Sequence, residues 1–228
     1  MKIIALSGWG QPHDALASVT PSALHFDYSR YASVEDALQA LADTARGYDY
    51  AMGWSLGGQL LARAISAGVI APKKLLLIAP PFQFVEQNRA GPGMKRDTFE
   101  KFFDNFLHHP LRTLHKAWAL VHHDDSHATL IANQMAIFSK DAVLAGQWLN
   151  WLSLIEGFSC EVLDYSRFPP TLLVHGERDA VVEPAQSQRF AERIAQARVA
   201  LWPGCGHAPH WHNPAAFSQL MAEHFHAG

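Results

Sequence analysis

The ten residues YAMGWSLGGQ, Tyr50 to Gln59, decide how the rest of the chain is read. Tyr50, Ala51 and Met52 make a short apolar run suited to a buried strand. Leu56 to Ala67 has helical spacing, so Ser55 falls on the corner between the two. Gly53, Ser55 and Gly57 fit the G-x-S-x-G pattern of a nucleophile elbow. In that turn the serine holds a strained backbone, and glycines two places to either side are needed because a Cβ there would clash. The turn lifts the hydroxyl clear of the sheet and sets it at the N-terminal end of a helix, where free amides can receive a developing oxyanion. The bare pattern is weak evidence; its place between strand and helix gives it weight.

Outward from this corner, short runs rich in Val, Ile and Leu alternate with longer segments of helical spacing, the pattern of a parallel sheet covered by helices on both faces. Strands are expected near residues 2–6, 24–27, 50–53, 74–78, 171–175 and 199–202. Ser33 is the expected N-cap of the helix that follows it, its hydroxyl accepting from the amide of Asp36. Pro184 and Pro214 sit where a first helical turn tolerates a missing N–H. The alternation stops between about Phe82 and Cys160, where DTFEKFFDNFLHH, PLRTLHKAWALVHH, HATLIANQMAIFS and DAVLAGQWLNWLSLI read as helices. The expected organisation is an α/β core of about six mostly parallel strands from residues 1–81 and 161–228, with residues 82–160 inserted as a helical cap. NRAGPGMKR, Asn88 to Arg96, is Gly/Pro-rich enough for a hinge or loop.

A serine hydroxyl is a poor nucleophile at neutral pH and needs a histidine base oriented by a carboxylate. Downstream, TLLVHGERDAVV supplies Asp179 just past the end of one strand, and LWPGCGHAPHWHNP supplies His207 just past the next. All three residues then lie at carboxyl ends of strands, the edge where open α/β sheets gather ligands. Asp164, after SCEVL, is the rival acid, and His210 and His212 crowd His207. A metal reading of His207, His210 and His212 has no HExxH or Cys/His spacing beside it, so no metal is expected. Gly8, Trp9 and Gly10, in the loop after the first strand, are expected to bring a backbone amide, that of Trp9, opposite the amide of Leu56 as the second half of an oxyanion hole.

The 228 residues, 49% of them hydrophobic, suffice for a large core, and no apolar stretch approaches the roughly 18 residues of a membrane span. No cleavage site follows a charged leader, so a soluble, cytoplasmic protein is expected. A net charge of −3 argues against nucleic acid or an acidic membrane as partner. Cys160 and Cys205 are expected to be unpaired thiols.

Together, GWG at 8–10, GWSLGG at 53–58, HGERDAVV at 175–182 and GCGHAPHWHNPAAF at 204–217 resemble an α/β-hydrolase, and more narrowly the pimeloyl-acyl-carrier-protein methyl ester esterase family of biotin synthesis. The resemblance implies Ser55, Asp179 and His207 as catalytic residues, Trp9 and Leu56 as oxyanion donors, and no cofactor. It covers the sheet-forming two thirds of the chain. Three features depart from the family: the usual N-terminal hairpin is missing, Ser7 stands where histidine is usual, and FDYSRYAS at 26–33 replaces a Gly-rich loop.

An ester carried by a small molecule or by an acyl carrier protein is the expected substrate, and a monomer the expected form. Cap aromatics including Phe82, Phe84, Phe99, Phe102, Phe103, Phe106, Trp148 and Trp151 are candidates for an acyl pocket, about a third of them in use; Trp9, Phe82, Phe103, Trp148 and Trp151 are chosen. Between Arg89 and Trp118 six basic residues face Asp97, Glu100 and Asp104, a balance of 6 − 3 = +3, and Arg112 and Lys116 are the expected carrier-docking pair. General esterases, thioesterases, carbon–carbon bond hydrolases and non-catalytic receptors remain alternatives on the same scaffold.

Overall fold

The computed structural model describes residues 2–87, 91–138 and 145–226. Asn88, Arg89 and Ala90 of the expected hinge, and residues 141–144 of the last expected cap helix, lie outside the described residues. Six strands form one sheet: β1 (Ile3–Leu6), β2 (Leu24–His25), β3 (Tyr50–Trp54), β4 (Lys74–Ile78), β5 (Thr171–Gly176) and β6 (Ala197–Trp202). Their order is β2-β1-β3-β4-β5-β6 and every neighbouring pair runs parallel. β2 is shorter than expected because Asp27 leaves the strand to accept the amide of Ser29 in a tight turn.

The central strands are buried along nearly their whole length, as a sheet covered on both faces demands. Among the covering helices are α1 (Val34–Thr44) and α2 (Leu56–Ser66). Ser33 caps α1 as expected, its Oγ accepting the Asp36 amide at 3.1 Å. Between β4 and β5 come α3 (Arg96–His108), α4 (Pro110–Val121), α5 (Ala128–Phe138) and α6 (Ala145–Glu156). The Cys160 N–H donates to the Phe82 carbonyl at 2.8 Å, so this helical segment leaves and rejoins the core at one point. The chain closes with α7 (Ala185–Arg193), α8 (Pro209–His212) and α9 (Pro214–His226). Among the described residues no helix is long and apolar enough to cross a membrane.

β1 lies between β2 and β3, so the loops leaving β1 and β3 diverge on opposite sides of the sheet's reversal point and open a crevice at their carboxyl ends. α2 can start there because Gly57 has no side chain. A Cβ on Gly57 would lie 2.3 Å from the Leu6 carbonyl oxygen and 2.5 Å from that of Ser7, contacts with backbone that has nowhere to move. Gly57→Ala should therefore destabilise the fold by about 3 kcal/mol in urea denaturation. Gly146→Ala, whose Cβ meets nothing within 4 Å, should stay within about 0.5 kcal/mol of wild type.

Candidate active site

Ser55 sits between β3 and α2 with φ 53° and ψ −122°, the left-handed side of conformational space where a side chain is strained. Three neighbours hold it there. Its N–H donates to the Ile78 carbonyl at 2.8 Å, and its own carbonyl accepts the amides of Gly58 and Gln59 at 2.9 and 3.2 Å. The helix ladder begins with those two bonds, leaving the Leu56 amide ahead of it at the helix N-terminus.

Asp179 lies three residues beyond β5 and its side chain is fully buried. Oδ1 accepts the amides of Val181 and Val182 at 2.8 and 2.9 Å, and Oδ2 accepts from His207 Nδ1 at 2.6 Å. Nε2 of His175, on β5, stands 3.0 Å from the same Oδ2. Burial acts to raise the pKa of this carboxyl, but the His207 charge and the hydrogen bonds of both histidines outweigh it and hold Asp179 well below the usual carboxylate range. The rival acid Asp164 is elsewhere: it is half exposed, caps a turn at Ser166 and pairs with Arg167.

His207 is 2% exposed, in the loop that leaves β6. That loop and the Asp179 loop touch through backbone: a Cβ on Gly176 would fall 2.0 Å from the Gly206 carbonyl oxygen, and Arg178 N–H donates to Cys205 at 2.8 Å. The His207 carbonyl accepts Trp54 Nε1–H at 2.9 Å, so the residue preceding the elbow serine also fixes the histidine. Ser55 and His207 front one cavity, and the Ser55 side chain makes no capping bond to α2.

The two histidines beside His207 go separate ways. His210 is enclosed by the rings of Trp54, Trp211 and Phe217, and burial together with the nearby His207 pushes its pKa down to about 3. His212 Nδ1 bonds Asp125 Oδ1 at 2.8 Å. Asp125, Cys205 and His212 form the described group nearest to a metal-ligand set, their donor atoms within 4.8 Å of one another. Both Asp125 oxygens are already engaged, Oδ1 by the His127 amide and His212 and Oδ2 by the Gly206 amide at 2.6 Å. Burial and Asp125 itself push the Cys205 thiol far up.

The loop after β1 lies against the elbow: a Cβ on Gly8 would stand 3.4 Å from that of Ser55. The helices between β4 and β5 brace this loop twice. Trp9 Nε1–H donates to the Trp148 carbonyl at 2.8 Å, and Trp118 Nε1–H donates to the Gly10 carbonyl at 3.0 Å. The cavity over Ser55 is walled by Trp9, Phe84, Met94, Phe102, Trp118 and Val181. Of the five residues chosen for substrate contact, Trp9 is in this wall and Phe82, Phe103, Trp148 and Trp151 are not. Phe82 packs edge-on against Phe190 in the core, and Phe103 turns to Phe99. Trp148 and Trp151 pack on Tyr28, behind Trp9. The reason is helical geometry: Phe102 and Phe103 are adjacent on α3 and point about 100° apart, so one faces the cavity and its neighbour does not.

Residues 3–220 match the profile described as the alpha/beta hydrolase family. The chain belongs to that family. Relatives named pimeloyl-[acyl-carrier protein] methyl ester esterase include one from Aromatoleum aromaticum, 28% identical and covering 97% of this chain and 96% of its own length. Another, from Nitrosomonas europaea, is 27% identical over 81% of this chain and 74% of its own. Among solved structures, an esterase from Exiguobacterium antarcticum superposes with a TM-score of 0.84 at 15% identity, over 98% of this chain and 91% of that one, and shows the same fold.

Asp125 has no local sequence signal, since its partners Gly206 and His212 lie 81 and 87 residues away. It bolts the turn after α4 to the histidine loop, beside the bond from His207 N–H to the Val121 carbonyl at 3.0 Å and that from Ser126 N–H to Gly204 at 2.9 Å. Asp125→Ala takes the acceptor from the buried Gly206 amide and from the part-buried His127 amide and His212 ring. It should cost about 3 kcal/mol of stability and accelerate amide exchange at Gly206 and His207 more than elsewhere in the sheet.

Proposed function

We propose that this α/β-hydrolase is a serine carboxylesterase that cleaves a carboxylic ester through an acyl-enzyme, with the methyl ester of a pimeloyl group on acyl carrier protein as its substrate. The observation that carries this reading is the 2.6 Å bond from His207 Nδ1 to the buried Asp179 carboxylate, on the same apolar cavity as the strained Ser55. In the proposed reaction His207 Nε2 takes the Ser55 proton as Oγ attacks the ester carbonyl. Asp179 holds the imidazole tautomer and stabilises the imidazolium, which then returns the proton to the departing alkoxide. Water repeats the cycle to release the acid. The amides of Trp9 and Leu56 are the proposed oxyanion donors, each such donor contributing about 2.7–4 kcal/mol to the transition state. Substrate class rests on the relatives' names and on the cavity's apolar wall, which suits a methylene chain.

Turnover of a carrier-bound methyl ester and of p-nitrophenyl esters of rising chain length, by wild type and Ser55→Ala, tests the proposal. Strong Ser55-dependent turnover of the carrier ester is expected. Turnover of the short esters alone would replace the substrate assignment with a general carboxylesterase, and no turnover of either would remove the esterase reading.

Carrier docking has a narrower basis. Of the basic residues expected to receive it, Lys95 pairs with Glu86 and Arg96 with Glu156, and Arg89 lies outside the described residues. Arg112 and Lys116, four residues apart on α4, are exposed and have no ion pair among the described residues. Exposed Leu107 and Leu111 stand in the same stretch. Charge reversal at Arg112 and Lys116 should raise KM for the carrier ester at least tenfold while leaving p-nitrophenyl ester turnover unchanged; an unchanged KM would remove this pair from docking.

A further inference from the structure

The acid residue has a second histidine behind it. His175 is the next-to-last residue of β5, its ring is completely buried, and both of its nitrogens are engaged. Nε2 stands 3.0 Å from Asp179 Oδ2 and 2.9 Å from the Val182 carbonyl oxygen. Both of those partners accept and neither donates, so Nε2 carries one hydrogen that the Val182 carbonyl and the Asp179 carboxylate share. The other nitrogen, Nδ1, is 2.7 Å from Oγ of Ser187, a fully buried hydroxyl on α7. In the neutral ring Nδ1 is then the acceptor and the Ser187 O–H supplies its donor. A chain of defined polarity results, running from the Ser187 hydroxyl through the His175 ring to the Asp179 carboxylate and His207.

We propose that His175, with its tautomer fixed by Ser187, is a positioning residue for the proposed acid Asp179: its Nε2–H fixes the orientation of the carboxylate and draws off part of its charge. The inference rests on the reading of Asp179 and His207 as the acid and base of the site. Two consequences distinguish it from simple core packing. The carboxylate cannot turn about its Cβ–Cγ bond without breaking the Val181, Val182 and His175 bonds together, so Oδ2 stays aimed at His207. The second donor on Oδ2 also competes with His207 for negative charge and so tunes the basicity of the imidazole.

The sign follows from that competition. Without the His175 donor the carboxylate holds the His207 imidazolium more strongly, so the His207 pKa rises. The acid limb of kcat/KM, which requires neutral His207, then moves to higher pH. The titratable groups facing this pair are His175 from β5, Cys205 from the loop after β6, His210 from α8, and Asp125 from the turn after α4 through the Gly206 amide.

The experiment is an NMR titration of the His207 ring in wild type, His175→Leu, His175→Gln and Ser187→Ala, with circular dichroism and thermal melting to verify the fold. The NMR midpoint needs no substrate. The His207 midpoint is expected to rise by roughly one pH unit in His175→Leu, the size set by loss of one charge-assisted hydrogen bond. His175→Gln, whose side-chain amide can reach the Nε2 position as a donor, should return most of the shift, and Ser187→Ala should shift less and in the same direction. With ester substrate, the kcat/KM limb should move in step and kcat fall about tenfold in His175→Leu at unchanged KM. A folded His175→Leu with an unmoved His207 midpoint overturns the proposal, as does a Gln variant that behaves like Leu, even where esterase activity stands. Absence of Ser55-dependent turnover would instead strike the esterase reading and leave the titration result intact.

Discussion

A backbone corner at Ser55 with φ of 53° persists only while the elements on either side of it are held closer than side chains normally allow. Gly57 lets the first turn of α2 rest directly on the carbonyls of Leu6 and Ser7, and Gly53 lets β3 pass under Gly58, where a Cβ would come within 2.6 Å of backbone. The strain at one residue is thus opposed by the packing of β1, β3 and α2. Because the same contact presses the end of β1 against the elbow, it also brings the loop of Gly8 to Gly10 to the serine. Local strain and the placement of that loop are one constraint.

The helices between β4 and β5 share in this constraint. Three tryptophans do most of the joining, each spending its one N–H on the carbonyl of a distant segment: Trp54 on His207, Trp118 on Gly10 and Trp9 on Trp148. An indole suits the task because its large apolar face fills the wall while its single donor fixes a backbone. The histidine loop is tied to the cap again through Val121, Asp125 and Ser126. Moving α4 as a body would disturb the loop after β1 and the loop after β6 together. Access to the cavity is therefore expected to come from side-chain motion in its wall rather than from lifting the whole cap.

How much of this could be read in the sequence follows from how local each signal is. The elbow, the Asp179 turn and the His207 turn are each written in fewer than fifteen residues, with glycines where backbones meet, and the strand-end rule places all three on one rim without any knowledge of packing. The Ser33 cap is likewise local. The cavity wall is not, because Phe99, Phe102, Phe103 and Phe106 are equivalent as letters and differ only in where α3 lies over the sheet. Trp118 went unselected for the same reason, hidden in a helix whose register against Gly10 is a tertiary fact. His175 stood in plain sight at the end of an apolar strand; its contact with Asp179 depends on the loop doubling back so that a residue four places on meets it.

The distribution of charge around the base shows why the histidines crowding it do not compete. His210, in its box of indole and phenyl rings, is biased toward its neutral form, since burial and the neighbouring His207 both disfavour a second cation there. His212 is turned away onto Asp125. In the proposed reaction a positive charge on His207 would meet the Asp179 carboxylate at Nδ1 and uncharged rings on its other flank, so the stabilisation would fall on the side where it fixes the tautomer. In that proposal Nε2 is the nitrogen that exchanges a proton with the serine. The chain carries fourteen histidines, yet the surrounding packing gives one of them the pairing a base needs.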